Sequence, residues 1–162
     1  MSVYMNPQYH KGPPLERCKR RAKDGQTWQP GQFGRLTDSG VVKCKSNASS
    51  IQFQFAESQP VATSSSDVLV DMIPAGGTQF KIYCTSGGAD TRALAAYIGS
   101  NEGLAVNSCM CTLSTGNDST EVLHVEDIVS NVEGFKNDTG DLPGMVIASV
   151  VESARTAEGA GM

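Results

Sequence analysis

Histidine is nearly absent from this chain, long apolar runs are missing, and aromatic residues make up only 6% of it. Each shortage removes a class of function. His10 and His124 are the only histidines, and neither has a Ser or Cys neighbour in a recognisable nucleophile motif. A triad needs three roles converging in space, so no enzyme is expected. No stretch approaches the roughly 18 apolar residues of a membrane span. The leading Met1-Ser2-Val3-Tyr4-Met5-Asn6-Pro7 also lacks the apolar region of a secretory signal. A soluble, unsecreted chain with no membrane partner is expected.

Cysteine is present in odd number, at Cys18, Cys44, Cys84, Cys109 and Cys111. Without an export signal this argues against a disulfide framework and for reduced, mostly buried thiols. Cys109-Met110-Cys111 is spaced too tightly for a zinc knuckle and has no second pair, so both thiols read as small core hydrophobes. Asn137-Asp138-Thr139-Gly140-Asp141 carries oxygen ligands but lacks the closing Glu of a calcium loop, and reads as a turn. Thr85-Ser86-Gly87-Gly88-Ala89-Asp90 has no Gly-Lys-Ser/Thr ending, which a phosphate loop needs. No cofactor and no metal is expected.

What the chain does contain is 14 Val, 17 Ser and 11 Thr against 8 Leu, a balance that suits strands and turns better than helices. Its 162 residues allow one real core. The expected class is mainly β: a β-barrel or β-sandwich body of short antiparallel strands, an extended N-terminal arm, and at most one short helix. Ile51, Phe53 and Phe55 alternate with Gln52 and Gln54, the period of a half-buried strand. Val68, Val70 and Met72 alternate in the same way before Pro74-Ala75-Gly76-Gly77, and Phe80, Ile82 and Cys84 after it, which resembles a hairpin. Strands are also expected near 41–44, 109–113, 122–129 and 145–151. Residues 90–98, between Asp90 and Gly99, are the helix candidate.

Charge is the asymmetric quantity. Residues 1–45 hold 9 basic and 3 acidic groups, and the remainder 4 basic and 14 acidic. Residues 1–32 also hold Pro7, Pro13, Pro14 and Pro30, so neither helix nor strand is expected to run far there. The division expected is a basic arm over 1–32, a β-rich body over 33–153 and a loose tail over 154–162. Within the arm, Arg17, Lys19, Arg20, Arg21 and Lys23 place five cations in seven residues, and Tyr4, Tyr9 and Trp28 supply aromatic anchors of the kind interfaces favour. These eight residues are the candidate partner-binding set. An arm of this composition is expected to become ordered against a neighbour and to clamp adjoining subunits, and the complementary halves allow copies to pair arm to body.

The layout resembles the small decoration, or cement, proteins that coat the capsids of tailed bacteriophages. It is carried by Gly34-Arg35-Leu36-Thr37-Asp38-Ser39-Gly40-Val41-Val42, a Ser/Thr/Gly/Val-rich β body, and Gly140-Asp141-Leu142-Pro143-Gly144-Met145-Val146-Ile147 entering a last strand. The resemblance spans residues 34–151 and implies a β fold on the outer capsid surface. It implies no catalytic residues, the major capsid protein as partner, assembly in the host cytoplasm, and stabilisation of the shell. A homo-oligomer, with trimers suited to three-fold axes, is expected with it. The alternative is a β-barrel nucleic-acid-binding module using the basic arm. Net negative charge and the absence of aromatics interleaved with basic residues in the body speak against nucleic acid.

Overall fold

Short β-branched stretches between turn residues fold as thirteen short strands among the described residues. A computed structural model of the chain describes residues 6–12, 17–46, 48–57, 61–63, 68–85, 97–106, 111–114, 120–129 and 144–155, with the backbone alone at 85 and 111. The strands are β1 (Gln8–Lys11), β2 (Cys18–Arg21), β3 (Thr27–Trp28), β4 (Phe33–Thr37), β5 (Gly40–Lys43), β6 (Phe53–Phe55) and β7 (Val61–Ala62). They continue with β8 (Leu69–Pro74), β9 (Gln79–Thr85), β10 (Asn101–Val106), β11 (Cys111–Ser114), β12 (Leu123–Ile128) and β13 (Met145–Val150). The fold is mainly β, with no helix of seven residues or more among the described residues. Of the helix candidate at 90–98, all but Tyr97 and Ile98 lies outside the described residues.

The later strands close a barrel. β9 pairs with β11, β11 with β10, β10 with β12, β12 with β13, and β13 returns to β9. All these pairings are antiparallel except β11 with β9, which run parallel. The first half of the remaining β9 edge is taken by β1, with Tyr9 opposite Phe80. The expected inward set Phe80, Ile82 and Cys84 is buried here, together with Leu104, Leu113, Leu123, Val125, Val146, Ala148 and Val150.

The earlier strands form a second, smaller sheet in the order β2-β8-β6-β4-β5. Its two edges approach each other through a parallel bridge between Ala22 and Val41 and a hydrogen bond from Lys23 N–H to Val41 O at 2.9 Å. Gly40 permits that approach. Its φ is +117°, and a Cβ there would stand 2.7 Å from the Arg21 carbonyl oxygen and 2.8 Å from the Lys23 nitrogen. This sheet encloses a compact core of Ala22, Trp28, Val41, Phe55, Val70 and Met72. The two sheets share material: Phe33, Cys44, Ile51 and Ala75 belong to the barrel core, and the Phe33 ring meets Phe80 edge-on at 5.1 Å.

Three expectations change. The strands flanking Gly76-Gly77 do not pair as a hairpin; a turn closes there, with Thr78 N–H donating to Ala75 O, but β8 stays in the small sheet and β9 enters the barrel. Gln54 does not face water. It is 3% exposed, and its Nε2 donates to Pro7 O at 2.7 Å, because the N-terminal segment covers that position of β6.

The described part of the expected arm is not free. Residues 6–12 and 17–32 are part of the body: β1 joins β9, β2 joins β8 over four residue pairs, and β3 joins β7. The prolines and glycines limit strand length without preventing strands, since four-residue strands fit between Pro7 and the next breakers. The order of this segment requires no second subunit. Tyr4 and residues 156–162 lie outside the described residues, while Ala154, expected in the loose tail, is buried in the barrel core.

Candidate anion-binding face

β2 carries the basic run onto the surface of the small sheet. Alternation puts Lys19 and Arg21 on one side and Cys18, Arg20 and Ala22 on the other, and the register sets Lys19 opposite Asp71 and Arg21 opposite the exposed Leu69. Lys19 Nζ lies 2.9 Å from Asp71 Oδ1, an ion pair across β2 and β8. The hydrogen bond to Asp71 and its charge hold the Lys19 ammonium above its ordinary pKa. Arg20 lies over the Phe53 ring at 5.7 Å, where it caps the apolar end of the sheet. Of the five cations in the run, two are therefore engaged within the chain. Arg17, Arg21 and Lys23 remain exposed.

The aromatic anchors serve the fold. Trp28 is fully buried and stacks on Phe55, ring centroids 5.5 Å apart, so it cannot anchor a partner. Gly34 is needed beneath it, because a Cβ there would stand 2.7 Å from Trp28 Cη2. Tyr9 is half-buried on β1, away from the basic strand.

Lys23 joins a different group. Together with Arg35, Lys43 and Lys45 it lines a polar trough of about 630 Å³ beside the β4–β5 turn, which also holds one carboxylate, Asp38. The trough wall is fixed by its own hydrogen bonds. Thr37 Oγ1 donates to Gly40 O at 2.6 Å, Gln26 Oε1 accepts from Lys43 N–H at 3.1 Å, and Ser46 Oγ both accepts from Val106 N–H at 2.8 Å and donates to Val106 O at 3.1 Å. Four cations therefore stand on a rigid frame with one counter-charge. Each exposed charge contact is weak alone, about 0.2–1 kcal/mol, so such a group works on a ligand that spans several of them. Among the described residues no aromatic side chain lines the trough, so none of them offers a stacking platform for bases.

Sequence reasoning found Lys23 and missed Arg35, Lys43 and Lys45. The available signal was the Asp38-Ser39-Gly40 turn, which folds the flanking basic residues of β4 and β5 back on one another. No group of three His, Cys, Asp or Glu side chains comes together among the described residues. His10 lies on β1, and His124, on β12, places its Nδ1 2.7 Å from Asn101 Oδ1. Cys44 Sγ–H donates to Ser50 O, and burial, followed by the nearby Glu102 charge, pushes the Cys84 thiol up to about 12, away from reactivity. Cys109 and residues 137–141 lie outside the described residues. Comparison with protein-family models, with curated proteins and with solved structures finds no match for this chain.

Proposed function

We propose that this chain is a structural virion protein that decorates a bacteriophage capsid, binds the outer surface of the major capsid protein lattice and stabilises the shell without catalysing a reaction. Support comes from the layout shared with decoration proteins and, above all, from one observation: the cations of residues 17–45 are mounted on a rigid sheet. A fixed basic surface suits repeated docking on a lattice, because its contacts form without first ordering a chain, a cost of about 1–2 kcal/mol per residue for a floppy arm. Repetition over many sites then makes modest contacts effective. Fastening in this form comes from the basic face of the small sheet rather than from a loose clamp.

Copurification tests the proposal. Virions purified through a density gradient should contain the chain at a fixed ratio to coat subunits, and the R17E/R21E variant, changed on the exposed β2 face and outside the trough, should be depleted from them. Complete absence of the wild-type chain from infectious particles overturns decoration. If the chain instead binds oligonucleotides with a steep salt dependence and never sediments with shells, the nucleic-acid module takes its place.

A further inference from the structure

The basic trough has a counterpart on the same molecule. Glu121 and Glu152 are exposed on the barrel, and the hydrogen bond from Val151 N–H to Val122 O at 2.9 Å brings them to one end of the β12–β13 pair. Glu126, also exposed, lies further along β12. None of these carboxylates makes an ion pair with Lys23, Arg35, Lys43 or Lys45 in its own chain. The molecule thus displays a cationic concavity and, on a different element, a pair of exposed carboxylates, Glu121 and Glu152, that the concavity does not use.

We infer that the trough lined by Lys23, Arg35, Lys43 and Lys45 is a socket for the Glu121/Glu152 end of the barrel of a second copy of this chain. The trough is far larger than one small anion requires, and its described lining has none of the aromatic surface that single-stranded nucleic acid uses, so an acidic protein surface fits it better. The chain itself supplies that chemistry: residues beyond 45 carry 14 acidic and 4 basic groups. Because socket and plug are different patches, the contact is head-to-tail, and copies either close into a ring or run on as a chain. The inference goes beyond lattice decoration and holds or fails without it.

Sedimentation velocity on the full chain tests it. At about 20 mM NaCl the wild type should exceed the monomer mass, and at about 0.5 M, where the Debye length is only a few ångströms, it should return to the monomer. K43E/K45E and E121K/E152K should each be monomeric at low salt, a loss of more than about tenfold in association. Mixed in equal amounts, the first variant still offers an intact acidic end and the second an intact socket, so the mixture should form a one-to-one dimer. Circular dichroism checks the fold of each variant, and K43Q/K45Q replaces the reversal if it misfolds. A wild type that stays monomeric at low salt up to about 1 mM, where even feeble contacts are populated, overturns the inference. So does self-association that both variants leave unchanged, or a mixture that gives no dimer. Loss of oligonucleotide binding in K43E/K45E without any self-association assigns the socket to nucleic acid and likewise overturns it.

Discussion

The small sheet and the barrel divide the work of the molecule unequally. The barrel core gathers aliphatic side chains from all of its strands and extends through Phe33 and Ile51 into the base of the small sheet. The small sheet has its own core of six buried residues among those described, around Trp28, Phe55 and Met72, yet it carries the basic run and the trough. The larger apolar core lies in one region and the cluster of positive charge in the other. A small domain that must hold several like charges close together gains from a larger neutral core beside it, because self-repulsion then acts on a frame that is already folded.

The contrast can be pushed hardest through the cores. Phe80→Ala in the barrel and Trp28→Ala in the small sheet should each cost about 3–5 kcal/mol. Because the two cores touch through the Phe33–Phe80 contact, urea unfolding followed by Trp28 fluorescence and by far-ultraviolet circular dichroism should coincide in the wild type and in Phe80→Ala. Two separated transitions would show that the sheets unfold independently. Gly34→Ala should cost somewhat less, about 1–3 kcal/mol, since the new Cβ would press on Trp28 and Met72 in the crowded small core. Thermal unfolding checks it.

The barrel also predicts an alkaline limit. Burial keeps the Cys84 thiol protonated to about 12, whereas the same thiol in the unfolded chain loses its proton near the ordinary value of 9.0. The unfolded state therefore binds fewer protons between these values. The stabilisation is complete below about pH 9 and should fall by up to about 1.4 kcal/mol per pH unit above it. Cys84→Ala should show a shallower decline over the same window in unfolding experiments. At neutral pH a disulfide reagent should label half-buried Cys18 faster than Cys84.

The smallest effect belongs to the surface pair. Asp71→Asn should let the Lys19 ammonium titrate closer to its ordinary value, measured by side-chain NMR, while the thermal midpoint barely moves.

Much of the class was legible in the sequence because period-two patterns report directly on a buried sheet face. Val70 and Met72, and then Phe80, Ile82 and Cys84, all point into cores as their spacing demands. What a pattern cannot report is which sheet a strand joins. The segments around Gly76-Gly77 read as a hairpin, but a turn fixes only the local chain direction, and the partners of β8 and β9 are set by distant strands. The burial of Gln54 was hidden for the same reason, since its cover comes from Pro7 and Gly31. The arm was misread because composition counts breakers, whereas a four-residue strand needs only a gap between them. As for the site, the run at 17–23 was visible as a charge cluster, but the trough was not: Lys23, Arg35, Lys43 and Lys45 meet only after β2 closes on β5 at Gly40.

Amide hydrogen exchange on the chain held monomeric at about 0.5 M salt, where surface charge contacts are screened, bears most directly on the claim that the basic segment is built into its own body. Amides of β2 that bond to β8, and those of Ala22 and Lys23 that donate to Val68 O and Val41 O, should be protected in the isolated monomer almost as well as those of the barrel strands. Exchange of residues 17–32 at the rate of an unstructured chain, with β9 and β13 still protected, would contradict the account and return this segment to the role of a free arm.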